Sequence, residues 1–119
     1  MAKPKVYLNG RAALTMNGYQ ADTQVTAMYP EDKAFEYLIA GIGGEVGELQ
    51  SKYAKYIRDD LDFTQVKEGM KAELGDILWF IAQIAKKLDY NLQSVAEDNT
   101  KKLNSRLLRN KISGDGDNR

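Results

Sequence analysis

Apolar residues in the first half of the chain recur in steps of three and four. Phe35, Leu38, Ile42, Val46, Leu49, Tyr53 and Tyr56 keep that spacing, which predicts a long amphipathic helix over residues 31–59. Met70, Leu74, Ile77, Leu78, Ile81 and Ile84 repeat it and predict a second long helix to about residue 88, capped by Asp62 or Thr64. Asp89, Tyr90 and Asn91 read as a turn, and a last helix follows from about Leu92 to Leu108. A shorter helix is predicted over residues 19–29, stopped by Pro30, which opens the next helix at its first position.

No strand alternation and no internal repeat interrupts this pattern. The fold class expected is all-α: a helical bundle in one domain over residues 19–109. An arm precedes it at 1–18, and residues 110–119 read as a disordered polar tail without the frame of a calcium loop. Three substantial helices make a thin core for a chain of 119 residues, so a second copy is expected to complete the bundle.

Composition narrows the chemistry. The chain has no cysteine and no histidine, which excludes zinc-thiolate sites, histidine-ligated metals and any Ser-His or Cys-His nucleophile. Seventeen basic and seventeen acidic residues balance, arguing against binding to a nucleic acid polymer or membrane by bulk charge. No stretch approaches the roughly 20 apolar residues of a membrane span, and the start lacks an apolar signal core. A cytoplasmic location is expected. Any catalysis must use carboxylates, lysines, arginines and hydroxyls, with a hard metal as the natural helper.

The acids supply the sharpest signal. Glu45 and Glu48 stand i, i+3 on the first long helix, and Glu73 and Asp76 stand i, i+3 on the second. Surface helices carry such pairs constantly, so spacing alone says little. Here, however, Glu45 falls within the stripe of Leu38, Ile42, Leu49 and Tyr53, and Glu73 within that of Met70, Ile77 and Phe80. An ionised carboxylate on a packed face costs several kcal/mol unless paired or metal-bound. A helical hairpin makes four such acids converge, and an all-oxygen set suits Mg²⁺, or Mn²⁺. The bland alternative is a salt-bridge network with Lys52, Lys55 or the last helix. Gly47 and Gly75, between the acids of each pair, are expected to admit a neighbouring helix or a substrate.

On the last helix Asn99, Lys102 and Arg106 share one face at i, i+3 and i+7. An amide, an ammonium and a guanidinium in line suit an anion with several oxygens, such as a polyphosphate. A solvated basic helix end explains the same residues more simply unless an acidic metal site lies nearby. Trp79, Tyr19, Tyr53, Tyr56 and Tyr90 read as packing residues, although any of them could border a base pocket.

Taken together, Glu-x-x-Glu, 24 intervening residues and Glu-x-x-Asp resemble the pattern of the MazG-type all-α NTP pyrophosphatases. The similarity continues in Asn99-x-x-Lys102-Leu103-x-x-Arg106, and Tyr19-Gln20 with Thr26-Ala27-x-Tyr29-Pro30 looks like the family's leading helix. The resemblance covers roughly residues 19–106. It implies hydrolysis of a nucleoside triphosphate to a monophosphate and pyrophosphate. Glu45, Glu48, Glu73 and Asp76 would hold Mg²⁺ and carry catalysis, with Glu48 a candidate to orient water. Lys102 and Arg106 would contact phosphate, with Asn99 near the nucleotide and Lys55 as a further phosphate contact. A homodimer or homotetramer is also implied. Many members carry another glutamate where this chain has Gly44, which bears on the number of metal ions and the water-activating carboxylate. The alternative function is a non-catalytic helical module that binds a nucleotide or a partner.

Overall fold

A computed structural model describes residues 14–110 and 112–117. Residues 1–13 of the expected arm lie outside it, as do Lys111 and residues 118–119 of the expected tail. The described chain runs α1 (Met16–Val25), a 3-10 turn (Glu31–Lys33), α2 (Ala34–Arg58), α3 (Phe63–Lys87) and α4 (Leu92–Leu108). There is no strand among the described residues, and the all-α class stands.

Local chemistry sets the ends of these helices. The Thr15 hydroxyl accepts from the Gly18 amide at 3.0 Å, which starts α1 three residues earlier than the apolar period suggests. The same helix stops at Val25, short of the expected residue 29. Thr26 and Ala27 donate only to the carbonyls of Thr23 and Gln24, and Pro30 disfavours helical backbone at Tyr29. Pro30 therefore leads into a 3-10 turn, and α2 begins at Ala34 rather than at residue 31. Asp62 caps α3 through the Thr64 amide and hydroxyl. Asn91 caps α4 through the Ser94 amide at 2.8 Å, so α4 begins at Leu92 as expected.

Helices α2 and α3 form the main hairpin, joined by the short turn at residues 59–62. They pack closely where Gly41 faces Phe80: a methyl group on Gly41 would overlap the Phe80 ring. Gly47 and Gly75 do not play this part within the chain. A methyl at either would meet nothing within 4 Å, so the expected helix approach lies one to two turns away, at Gly41. Tyr29, Tyr37, Phe80 and Trp79 close that end of the hairpin as an aromatic cluster. The Trp79 indole donates to the Thr26 hydroxyl at 2.8 Å, which assigns it to packing.

The seam between α1 and α3 is polar and buried. Gln83, fully buried, accepts from the Tyr29 hydroxyl at 2.6 Å and donates to the Thr23 hydroxyl at 2.7 Å. Gln20 donates to the carbonyls of Ala82 and Tyr90, both at 3.1 Å, and accepts from the Leu92 amide at 3.0 Å. One side chain thereby ties α1 to α3 and to the start of α4. Each of these polar groups is satisfied, as burial demands.

The buried apolar set within the chain is small: Ala34, Leu38, Val66, Phe80, Ala82, Ala85 and Leu92. Much of the periodic stripe that predicts the long helices lies outside it. Val46 and Tyr53 on α2, with Leu74, Leu78 and Ile81 on α3, are exposed. A periodic stripe reveals a face that needs covering, and α1 and α4 cover only part of it, since neither packs on α2. No helix among the described residues is long and apolar enough to cross a membrane.

Candidate metal centre

Where the hairpin meets α1, three acids come together. Carboxylate oxygens of Glu45 from α2 and of Glu73 and Asp76 from α3 lie within 4.8 Å of one another. Glu73 is 8% exposed, Glu45 is half-buried and Asp76 opens to solvent. The i, i+3 step puts Glu73 and Asp76 on the face that α3 turns toward α2. Glu48, one turn beyond Glu45, lines a groove with Glu45, Gly44, Gly41, Tyr37 and Phe80 but stands outside the trio.

Crowding sets the electrostatics. The Glu45 carboxyl is held above the usual glutamate range, first by burial, then by hydrogen bonding to Glu73. The charges of Asp76, Glu73 and Glu48 add to the effect. Such a group releases its proton less readily, and a bound cation would reverse that bias.

One cation is already engaged. Lys52 Nζ stands 3.2 Å from a Glu73 oxygen, its stem crossing α3 at Gly69. The sequence names Lys52 only as a possible salt-bridge partner, and the structure joins it to the most buried acid of the trio. Tyr19 supplies the other unexpected wall. Its hydroxyl donates to the Gly75 carbonyl at a long 3.5 Å, and burial followed by the Asp76 charge pushes its pKa up. A packing role described Tyr19 incompletely, because nothing in its spacing shows that α1 crosses Asp76.

The basic stripe of α4 makes no direct contact with the acids among the described residues. No hydrogen bond or ion pair among the described residues links Lys102 or Arg106 to Glu45, Glu48, Glu73 or Asp76. Lys102 Nζ is 3.2 Å from an Asp117 carboxylate oxygen, and Arg106 Nη2 donates to the Asp117 carbonyl at 2.7 Å. Asn99 and Lys102 line a groove with Tyr90, Ser94, Val95 and Asp98. Lys55 is exposed on α2, where its charge helps to lower the pKa of Asp59.

Residues 33–108 match the model of the MazG nucleotide pyrophosphohydrolase domain, a span holding α2, α3 and α4 and all four motif acids. The chain belongs to the MazG family. It is 40% identical over 109 residues to the Gene 37 protein of Mycobacterium phage L5, covering 85% of this chain and 96% of that protein. No solved structure matches it. Membership of the MazG family makes nucleotide pyrophosphohydrolysis the activity at family level, and the family is one of generally divalent-metal-dependent enzymes.

The residues present fit such a metal. Oxygens bound to one octahedral Mg²⁺ stand about 3–4 Å apart, from bond lengths near 2.0–2.1 Å. Carboxylate oxygens already within 4.8 Å of one another are near enough for side-chain rotation to bring them onto one ion. All its donors are carboxylate oxygens, the set a hard cation takes.

Proposed function

We propose that this chain is a Mg²⁺-dependent nucleoside triphosphate pyrophosphohydrolase, with Mn²⁺ as a working substitute. Water adds across the α–β phosphoanhydride bond of a ribo- or deoxynucleoside triphosphate, giving the monophosphate and pyrophosphate. The observation that carries this reading is the trio of Glu45, Glu73 and Asp76, drawn from two helices and crowded enough to raise the Glu45 pKa.

Glu45, Glu73 and Asp76 hold the metal, and Glu48 faces the same groove from one turn away. When bound, Mg²⁺ neutralises phosphate oxygens and lowers the pKa of water toward neutrality. Glu48 is free to orient that water and take its proton, because it is not drawn into the trio. Lys52 anchors Glu73 and fixes its rotamer. Lys102 and Arg106, with Asn99 beside them and Lys55 on α2, supply the phosphate contacts. Fixed cations of this kind stabilise the charge that develops on a pyrophosphate leaving group. No nucleophilic side chain is required.

A homo-oligomer, dimer or tetramer, completes the bundle in this reading. The exposed Val46 and Tyr53 on α2 and Leu74, Leu78 and Ile81 on α3 support it, since their i, i+4 and i+7 spacing sets each group on one face of its helix. The substrate is a soluble nucleotide, which fits a cytoplasmic enzyme.

The test is pyrophosphate release from a panel of ribo- and deoxynucleoside triphosphates, with Mg²⁺ and with EDTA. Mg²⁺-dependent formation of pyrophosphate and monophosphate supports the assignment. Orthophosphate release would mean that a different bond is cut. A folded protein that turns over no substrate would instead be a binding module.

A further inference from the structure

Arg106 sits in the last turn of α4, and its residue surface is only 4% exposed. A guanidinium presents Nε and Nη2 along one edge, and here the two donors are unequally used. Nη2 donates to the Asp117 carbonyl at 2.7 Å and lies 3.4 Å from the Asp117 carboxylate, while Nε is buried with no hydrogen-bond partner among the described residues. Lys102, one turn earlier, holds the same Asp117 carboxylate at 3.2 Å. Two cations of one helix face thus converge on a single acid from the end of the chain.

The backbone before that acid is shaped for the return. Gly114 and Gly116 have φ of +124° and +80°, values that side-chain-bearing residues rarely adopt. Asp117 itself remains open to solvent, and its carboxyl is held below the usual aspartate range, first by hydrogen bonding to Lys102 and then by its charge. The contact therefore rests on charge rather than on apolar packing.

We propose that the C-terminal segment is an internal ligand of the Lys102–Arg106 anion site, with Asp117 standing where a phosphate of the substrate would bind. This rests on the assignment of Lys102 and Arg106 as phosphate contacts. A tethered acid competes at a high effective concentration, so the site is occupied until a stronger anion displaces it. A phosphate is the stronger anion because it offers oxygens to both Nε and Nη2, a bidentate match that leaves no buried donor unsatisfied. The segment works as a displaceable cover that sets a threshold of nucleotide concentration. Its removal changes KM and leaves kcat alone.

The experiment compares the full-length protein with Asp117→Asn and, separately, Gly116→Ala. The first readout is binding of inorganic tripolyphosphate in EDTA by calorimetry, which needs neither metal nor turnover. Both variants should bind about twofold to fivefold more tightly at low salt, the range expected for one exposed ion pair. The gain should fade in 0.5 M salt. Equal affinity of all three proteins at low salt overturns the proposal, as does failure of all three to bind. The second readout is KM for a hydrolysed nucleotide, expected to fall by the same factor. A protein that hydrolyses no nucleotide yet shows tighter tripolyphosphate binding in the variants would retain the cover and lose the pyrophosphohydrolase assignment.

Discussion

Lys52 reaches from α2 across Gly69 to Glu73 on α3, and its ammonium stands 3.2 Å from the carboxylate. That ammonium neutralises the most buried acid of the cluster, and it also places positive charge where a metal would bind. The two roles oppose each other when metal arrives. Lys52→Met should therefore tighten Mg²⁺ binding, by up to about fivefold for a pair this exposed, the equivalent of about 1 kcal/mol. Titration calorimetry on the two proteins measures it. Unchanged or weaker affinity would show that Lys52 supports the metal instead of competing with it.

Metal should stabilise the fold. A cation bound by Glu45, Glu73 and Asp76 binds only the folded hairpin. Saturating Mg²⁺ should then raise Tm by roughly 5 °C or more at a hundredfold excess over Kd. Glu73→Gln should abolish that rise while the variant still folds. A rise of equal size in the variant would move the metal elsewhere.

The crowding at Glu45 has a pH signature. Its folded pKa lies above the unfolded value, so the folded state holds the proton more tightly. Stability is fully present below the ordinary glutamate range and is lost as pH rises through the elevated folded value. In EDTA, Tm should fall across that window, and Glu45→Gln should flatten the fall. Parallel profiles for the two proteins would contradict the raised Glu45 pKa.

Gly41 and Gly43 offer a paired test of packing. A methyl at Gly41 meets the Phe80 ring, whereas one at Gly43 meets nothing within 4 Å. Gly41→Ala should cost about 1–3 kcal/mol through overpacking. Gly43→Ala should gain about 1 kcal/mol of helix propensity. Denaturant unfolding distinguishes them, and equal effects would place the helix contact elsewhere.

The polar seam should be as sensitive as the apolar core. Gln83→Leu keeps the volume but leaves the Tyr29 hydroxyl without its acceptor and the Thr23 hydroxyl without its donor, at a cost of about 1–3 kcal/mol. A neutral result would mean that water replaces the lost hydrogen bonds.

How much of this was legible beforehand depends on which force decides each feature. The long helices and the α4 boundaries follow from apolar period and from Asp62 and Asn91, which act within a few residues of themselves. The grouping of Glu45 with Glu73 and Asp76 was legible too, because acids inside an apolar stripe demand an explanation. The seam was not. Gln20, Thr23 and Gln83 have the composition of a surface, and only the pairing of α1 with α3 makes them interior. Nor does periodicity say which neighbour covers a stripe, so the exposure of Val46 and Leu74 within the chain was hidden. The meeting of Asp117 with Lys102 and Arg106 depends on a chain reversal that no periodicity encodes.

The seam has one more consequence. Apolar helix faces slide past one another at modest cost, since one methyl group replaces another. Gln20 and Gln83 allow no such slippage, because a shift of α1 by one turn would break four hydrogen bonds at once. Tyr19 is the residue next to Gln20, so the same bonds fix its phenol beside Asp76. The alignment of one wall of the acidic cluster is thus set by amides outside it. A substitution at Gln20 or Gln83 should reach the cluster as a change of register rather than of charge.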